Sequence, residues 1–111
     1  MRALKGVCGM QEVLVKGLKD GELEIQLSGE IDLGNADAFY QTVIGGYEEF
    51  SADICFDCEN LTFIDSTTLG TFVKVLKKVR ADGKKMRLVH LQPKIKKLFL
   101  ICSLDSIMEI A

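Results

Sequence analysis

Tryptophan is absent from the 111 residues, and proline and histidine occur once each. One proline leaves almost the whole chain free to form regular elements. The only histidine, His90, lies in the apolar string Leu88-Val89-His90-Leu91, which suits a satisfied or strand-end imidazole better than a catalytic base. No apolar run approaches the ~20 residues of a membrane span, so no membrane association is expected. The first twenty residues contain neither an apolar h-region nor a small-residue cleavage site, and no signal peptide is read there. The four cysteines follow no framework spacing, which makes a reducing cytoplasm the expected compartment. Walker and G-x-G-x-x-G loops are missing. No stretch supplies a nucleophile, a base and an oxyanion donor together, so neither an enzyme nor a cofactor is expected. Aromatics make up only 7% of the chain, and none lies between Phe72 and Phe99 to stack bases among the lysines there. That disfavours nucleic acid as a partner.

What is present describes an ordinary folded protein. A hydrophobic content of 48% with 27% charged residues fits one globular domain over residues 1–111, long enough to bury a core unaided. The net charge of -2 hides a division, since thirteen acidic and four basic residues precede Ser66 while three acidic and ten basic follow from it. Solvated helix faces account for such a split; a partner with complementary patches is the sharper reading.

Residues 1–9 show no period and read as a tail or an edge strand. Residues 12–18 read as a strand, Asp20-Gly21 as a hairpin turn, and Leu23, Ile25 and Leu27 alternate with Glu22, Glu24, Gln26 and Ser28 in a second strand. The chain then leaves that strand over residues 28–35, where Asp32 or Asn35 offers a helix N-cap. Ala36, Phe39, Tyr40, Val43 and Tyr47 recur at helical spacing, with Gly45-Gly46 either ending that helix or interrupting it before Phe50. Residues 52–57 form a short apolar strand of the kind buried on both faces.

The next helix, after Ser66, is the best defined. It sets Leu69, Phe72, Val73, Leu76 and Val79 on one face and Lys74, Lys77, Lys78 and Arg80 largely on the other, and Asp82-Gly83 stops it. A strand over 86–91 follows. Pro93 opens a last helix with a stripe of Ile95, Leu98, Phe99 and Cys102. Residues 106–110 form a final short strand or an extra helical turn. The predicted fold is α/β: a mixed β-sheet opened by an antiparallel hairpin, with helices after the later strands. Loops after parallel strands collect at one sheet edge, which brings residues 29–35 and 63–68 together as one candidate surface.

Three candidate chemistries deserve weighing. Cys55-x-x-Cys58 has the spacing of a redox or metal pair, but three steps along a strand point the sulfurs to opposite faces with Cα atoms roughly 10 Å apart, beyond disulfide reach. Buried structural thiols are the expectation. Asp57, Glu59 and Asp65 can be drawn as an acidic cluster, but no His or Cys is placed to complete a metal site. The polar run Asp65-Ser66-Thr67-Thr68 stands where a strand enters a helix. One N-cap accounts for one of the four, and a phosphate on Ser66 would sit beside free N–H groups at the positive end of the helix dipole.

In this setting the run Phe63-Ile64-Asp65-Ser66-Thr67-Thr68-Leu69-Gly70 resembles the STAS domain family, specifically bacterial anti-sigma factor antagonists, whose pattern is Asp-Ser-(Ser/Thr)-Gly-Leu-Gly between a strand and an apolar helix. Leu27-Ser28-Gly29-Glu30-Ile31-Asp32 is similar to the family's Gly-Glu-(Leu/Ile)-Asp segment, with Ala36 close to the usual alanine. Asp82-Gly83 before a strand and Pro93 before a helix with Leu98-Phe99 also fit, so the similarity runs over roughly residues 12–110. The resemblance implies a STAS-like fold and a binding protein. The unmodified form would bind an anti-sigma factor that is also a serine kinase, freeing the sigma factor. Phosphorylation of Ser66 would end binding, and a serine phosphatase would restore it. It further implies a docking surface of Gly29, Glu30, Asp32, Asp65, Ser66 and Thr67. A STAS-type ligand-sensing module with weak nucleotide binding at the same edge is the alternative. The sequence departs from the family at Thr68, where Gly is usual, and a β-branched residue there implies either a more regularly helical loop or one that admits the kinase less readily.

Overall fold

The computed structural model describes residues 13–110, so the segment 1–9 lies outside the described residues. Asp20 and Gly21 take φ values of 54° and 83°, the paired positive angles of a two-residue type I′ turn. They join β1 (Val13–Lys19) to β2 (Glu22–Ile31) in antiparallel register. Leu23, Ile25 and Leu27 are buried, and Glu22, Glu24 and Gln26 are half-buried on the other side.

β2 runs beyond the expected break at Ser28 because its neighbour is long as well. β3 (Asp53–Ile64) has twelve residues and pairs in parallel with β2 through Ile31↔Ile64. The register slips between Gln26 and Ser28 and again between Gly29 and Glu30, each slip placing one extra residue in β3. Each extra residue reverses which side chains face inward. Cys58, Leu61 and Ile64 therefore all reach the core although they are three apart, a spacing that does not read as a strand.

α1 (Ala36–Phe50) passes through Gly45-Gly46 without a break. Gly46 instead permits close packing, since a Cβ there would lie 3.0 Å from Val15 Cγ1. α2 (Ser66–Ala81) ends in a Schellman closure, with Gly83 N–H donating to Arg80 C=O and Lys84 N–H to Val79 C=O. β4 (Met86–Val89) stops two residues short of the expected 86–91, because His90 turns out of the strand at φ 62°. α3 (Pro93–Ile101) buries only Ile95 and Phe99. The expected four-residue stripe narrows because Leu98 is exposed and Cys102 lies at the C-cap, also exposed. A 3-10 turn (Leu104–Ser106) leads to β5 (Glu109–Ile110), in agreement with the short-strand reading. Among the described residues the sheet order is β1-β2-β3-β4-β5, and only β1–β2 is antiparallel.

The core centres on Phe72 of α2, whose ring lies 5.0 Å from Phe39 of α1, 5.3 Å from Phe56 of β3 and 5.4 Å from Phe99 of α3. Three helices thus meet one face of the sheet through four fully buried phenylalanines. Among the described residues the helices lie on one side of β3, yet Ile54, Cys55 and Phe56 are all buried, so this part of the strand is covered on both faces as its apolar sequence suggested. On its other face Cys55 lies beneath a bidentate ion pair in which Arg87 Nε and Nη2 each donate to Glu22 at 2.8 Å. That hydrogen bonding holds the Glu22 carboxyl below its usual range. Both thiols are free, and burial pushes each of them up.

α1 and the end of α2 are joined by Tyr47, whose hydroxyl donates to Asp82 Oδ2 at 2.7 Å. Burial, reinforced by the Asp82 carboxylate, raises the phenol to about 12. A folded-state value above the unfolded one means that this stabilisation is complete below about pH 10. It is lost as pH rises through about 12. Urea unfolding of wild type and Tyr47→Phe across that range should show their stability difference shrinking with rising pH. Phe72→Ala should cost about 3–5 kcal/mol in the same assay, since it leaves a cavity where three other rings meet.

Candidate functional site

The four polar residues at the β3–α2 junction divide the work among them. Asp65 is extended, with φ -114° and ψ -176°, and its Oδ1 accepts the Thr68 amide N–H at 2.9 Å as the N-cap of α2. Thr68 is fully buried and its hydroxyl donates to the Ile31 carbonyl at 2.6 Å, tying the first turn of α2 to the end of β2. The same hydroxyl lies 2.9 Å from Asp65 Oδ1. Ser66 and Thr67, the first two helical residues, are left exposed. Thr68 is the third helical residue.

The second carboxylate oxygen of Asp65 reaches across to the turn that follows β2. Oδ2 accepts the Leu33 amide N–H at 2.9 Å, so one side chain caps the helix and pins the β2–α1 turn. The Thr68 amide, with its hydroxyl and the Leu33 amide, holds the Asp65 carboxyl below its usual range. The turn is also closed on itself. Asp32 N–H donates to Asn35 Oδ1 at 2.8 Å, Gly34 N–H to Asp32 Oδ1 at 2.9 Å, and Asn35 Nδ2 to the Glu30 carbonyl at 3.1 Å. Neither expected cap therefore caps α1. Asn35 occupies the N-cap position with its side chain turned back to residues 30–32, and Asp32 serves the turn.

Residues 29–35 and 63–68 are neighbours, as the predicted topology required. Glu30 pairs with Phe63, and Thr62 Oγ1 donates to the Gly29 carbonyl at 3.0 Å. Gly29 and Glu30, expected in a loop, belong to the end of β2 because β3 continues beside them. The outcome is an edge with Ser66, Thr67 and Glu30 exposed and Asp32 half-buried. It also carries Leu33, 74% exposed, and Phe63, 44% exposed, which sequence reasoning did not single out. A single exposed Leu has no periodicity to betray it.

The other candidates lie elsewhere. Asp57 and Glu59 do not cluster with Asp65. Parallel pairing sets Asp57 opposite Val89, and His90 Nδ1 comes within 3.0 Å of Asp57 Oδ1, supplying the histidine that the linear reading found missing beside those acids. Replacing Thr68 by Val should cost about 1–3 kcal/mol, because the buried Ile31 carbonyl loses its donor. Thr68→Gly should cost more, through the added helix penalty of about 1 kcal/mol. Urea denaturation midpoints check both.

The sequence profile of the STAS domain matches residues 15–111. The anti-sigma-B factor antagonist of Bacillus subtilis is 28% identical over 92 residues, covering 83% of this chain and 84% of that protein. An anti-sigma factor antagonist from Mycobacterium paratuberculosis superimposes with a TM-score of 0.77 at 22% identity, covering 88% of this chain and 82% of the other. The Bacillus cell fate determinant SpoIIAA, solved in its phosphorylated form, gives 0.70 at 20% identity, covering 89% and 90%. At such identities the two structures establish likeness of fold. The profile spans nearly all of the chain, from the middle of β1 through β5, and on that ground the protein belongs to the STAS domain family.

Proposed function

We propose that this protein is an anti-sigma factor antagonist whose binding is switched at Ser66. The observation that carries the reading is the division of labour at the helix start. Asp65 and Thr68 are tied into the fold, and Ser66 is left exposed beside them on the edge that also holds Gly29, Glu30, Asp32 and Thr67. A relative named for antagonism of an anti-sigma-B factor and a neighbour solved in a phosphorylated form support it. The role is that of a binding protein working in the cytoplasm, with no catalytic step of its own.

In the unmodified state this edge docks on an anti-sigma factor that is also a serine kinase, and the sigma factor is released. The kinase then transfers the γ-phosphoryl of ATP: a bond forms between Ser66 Oγ and phosphorus, the bond to the ADP oxygen breaks, and the hydroxyl proton leaves to a base on the kinase. The Ser66 and Thr67 N–H groups, in the first turn, take no intrahelical bond and lie at the positive end of α2, which makes a phosphate tolerable in the free protein. The partner makes it intolerable. About -1.5 to -2 charges are added next to Asp65, Asp32 and Glu30, and burying them unpaired costs several kcal/mol. A loss of only ~3 kcal/mol weakens binding more than a hundredfold. A serine phosphatase resets the switch.

Incubation with the cognate kinase and ATP should add one phosphate, mapped to Ser66 by mass spectrometry. In binding assays Ser66→Ala should retain the anti-sigma factor, and Ser66→Asp should lose roughly a hundredfold in affinity or more. Equal binding by Ser66→Asp and wild type would remove the switch.

A further inference from the structure

We propose that Asp57, Glu59 and His90 form a binding site for one zinc ion at the junction of β3 and β4. The ligand atoms of these three side chains lie within 4.8 Å of one another. They come together through the sheet and not through a local motif. Asp57 and Glu59 are two apart on β3 and share the side of the sheet away from α1, α2 and α3, where Asp57 is half-buried and Glu59 exposed. His90 follows the last residue of β4, and its left-handed backbone, at φ 62°, brings the ring back to β3.

The arrangement has the parts of an open three-ligand site. His90 Nδ1 stands 3.0 Å from Asp57 Oδ1, and the same oxygen accepts the Glu59 amide N–H at 3.2 Å, which fixes the carboxylate and leaves Oδ2 for a metal. With the proton on Nε2, Nδ1 offers a lone pair in the same direction. Zinc–ligand bonds of about 2.0–2.2 Å set neighbouring donors roughly 3.3–3.5 Å apart; the His90–Asp57 pair already stands that close, and the exposed Glu59 side chain is the one able to swing in. A groove of about 320 Å³ borders Asp57 and His90 and leaves water access to the remaining coordination position. One imidazole with two carboxylates suits zinc, whereas magnesium and calcium prefer all-oxygen sets. The charges facing the site are mixed: Lys16 acts on Asp57 and opposes a cation, Glu24 lines the groove and favours one, and Arg87 is already committed to Glu22.

The test uses the full chain under reducing conditions, titrated with zinc chloride by calorimetry and by NMR of the imidazole. Because the chain has a single histidine, its ring nitrogens are assigned without ambiguity. The expected result is one zinc per chain, a large shift of His90 Nδ1 on binding, and affinity reduced about tenfold or more in His90→Asn and Glu59→Gln. Asn tolerates the left-handed backbone at 90, and Glu59→Gln changes only an exposed side chain. Should His90→Asn fail to fold, the Glu59 variant and the ring shift decide alone. Zinc binding undiminished by the Glu59 substitution, a ring unmoved at saturating zinc, or no binding at all would overturn the site and leave His90–Asp57 as a simple hydrogen-bonded pair.

Discussion

A single buried hydroxyl holds the candidate edge together. Thr68 sits inside the protein, and its donation to the Ile31 carbonyl satisfies two polar groups that water cannot reach. Because the bond joins the first turn of α2 to the last residue of β2, the two segments cannot move independently without exposing or orphaning both groups. Asp65 adds the second tie, one oxygen on its own helix and the other on Leu33. Together they fix the position of Ser66 while making no demand on its side chain. A residue free of structural duty on a rigid support is what a reversible modification needs.

The support itself is built from the phenylalanine cluster. Phe72 stands one turn beyond Thr68 on α2, and its contacts with Phe39, Phe56 and Phe99 lock α1, β3 and α3 around it. The helix that presents Ser66 at its tip is therefore anchored in the centre of the core only two turns in. The paired bulges of β3 serve the same edge. They let the strand run on to Ile64 with its apolar residues still facing inward, and so deliver Asp65 to the point where it can reach Leu33. A regular strand would have turned Leu61 outward.

Thr68 stands where the resemblance implied glycine, and the proposed site keeps its geometry around it. Glycine at that position permits close backbone approach and a looser turn. Threonine replaces that freedom with two side-chain contacts and a regular helical start. The stiffened junction leaves Ser66 and Thr67 as its exposed hydroxyls.

Much of this was legible in the chain. The type I′ hairpin at Asp20-Gly21, the alternation of β2, the amphipathic α2, Pro93 at the start of α3 and the order of elements all follow from local periodicity and turn chemistry, which act over a few residues and leave their mark in sequence. So did the adjacency of residues 29–35 and 63–68, since parallel crossovers admit few other arrangements. What the sequence could not specify were consequences of pairing at a distance. The length of β3 is hidden by bulges that break its alternation, and β2 extends only because β3 lies beside it. Asp65 spends half its carboxylate on Leu33, and His90 finds Asp57 through the register of two strands; the lost cap on α1 is the local exception, taken by a turn over residues 30–35 that bonds to itself. Local propensity determined which elements form; hydrogen bonds and burial between segments more than thirty residues apart decided where they end and which side chains they leave free.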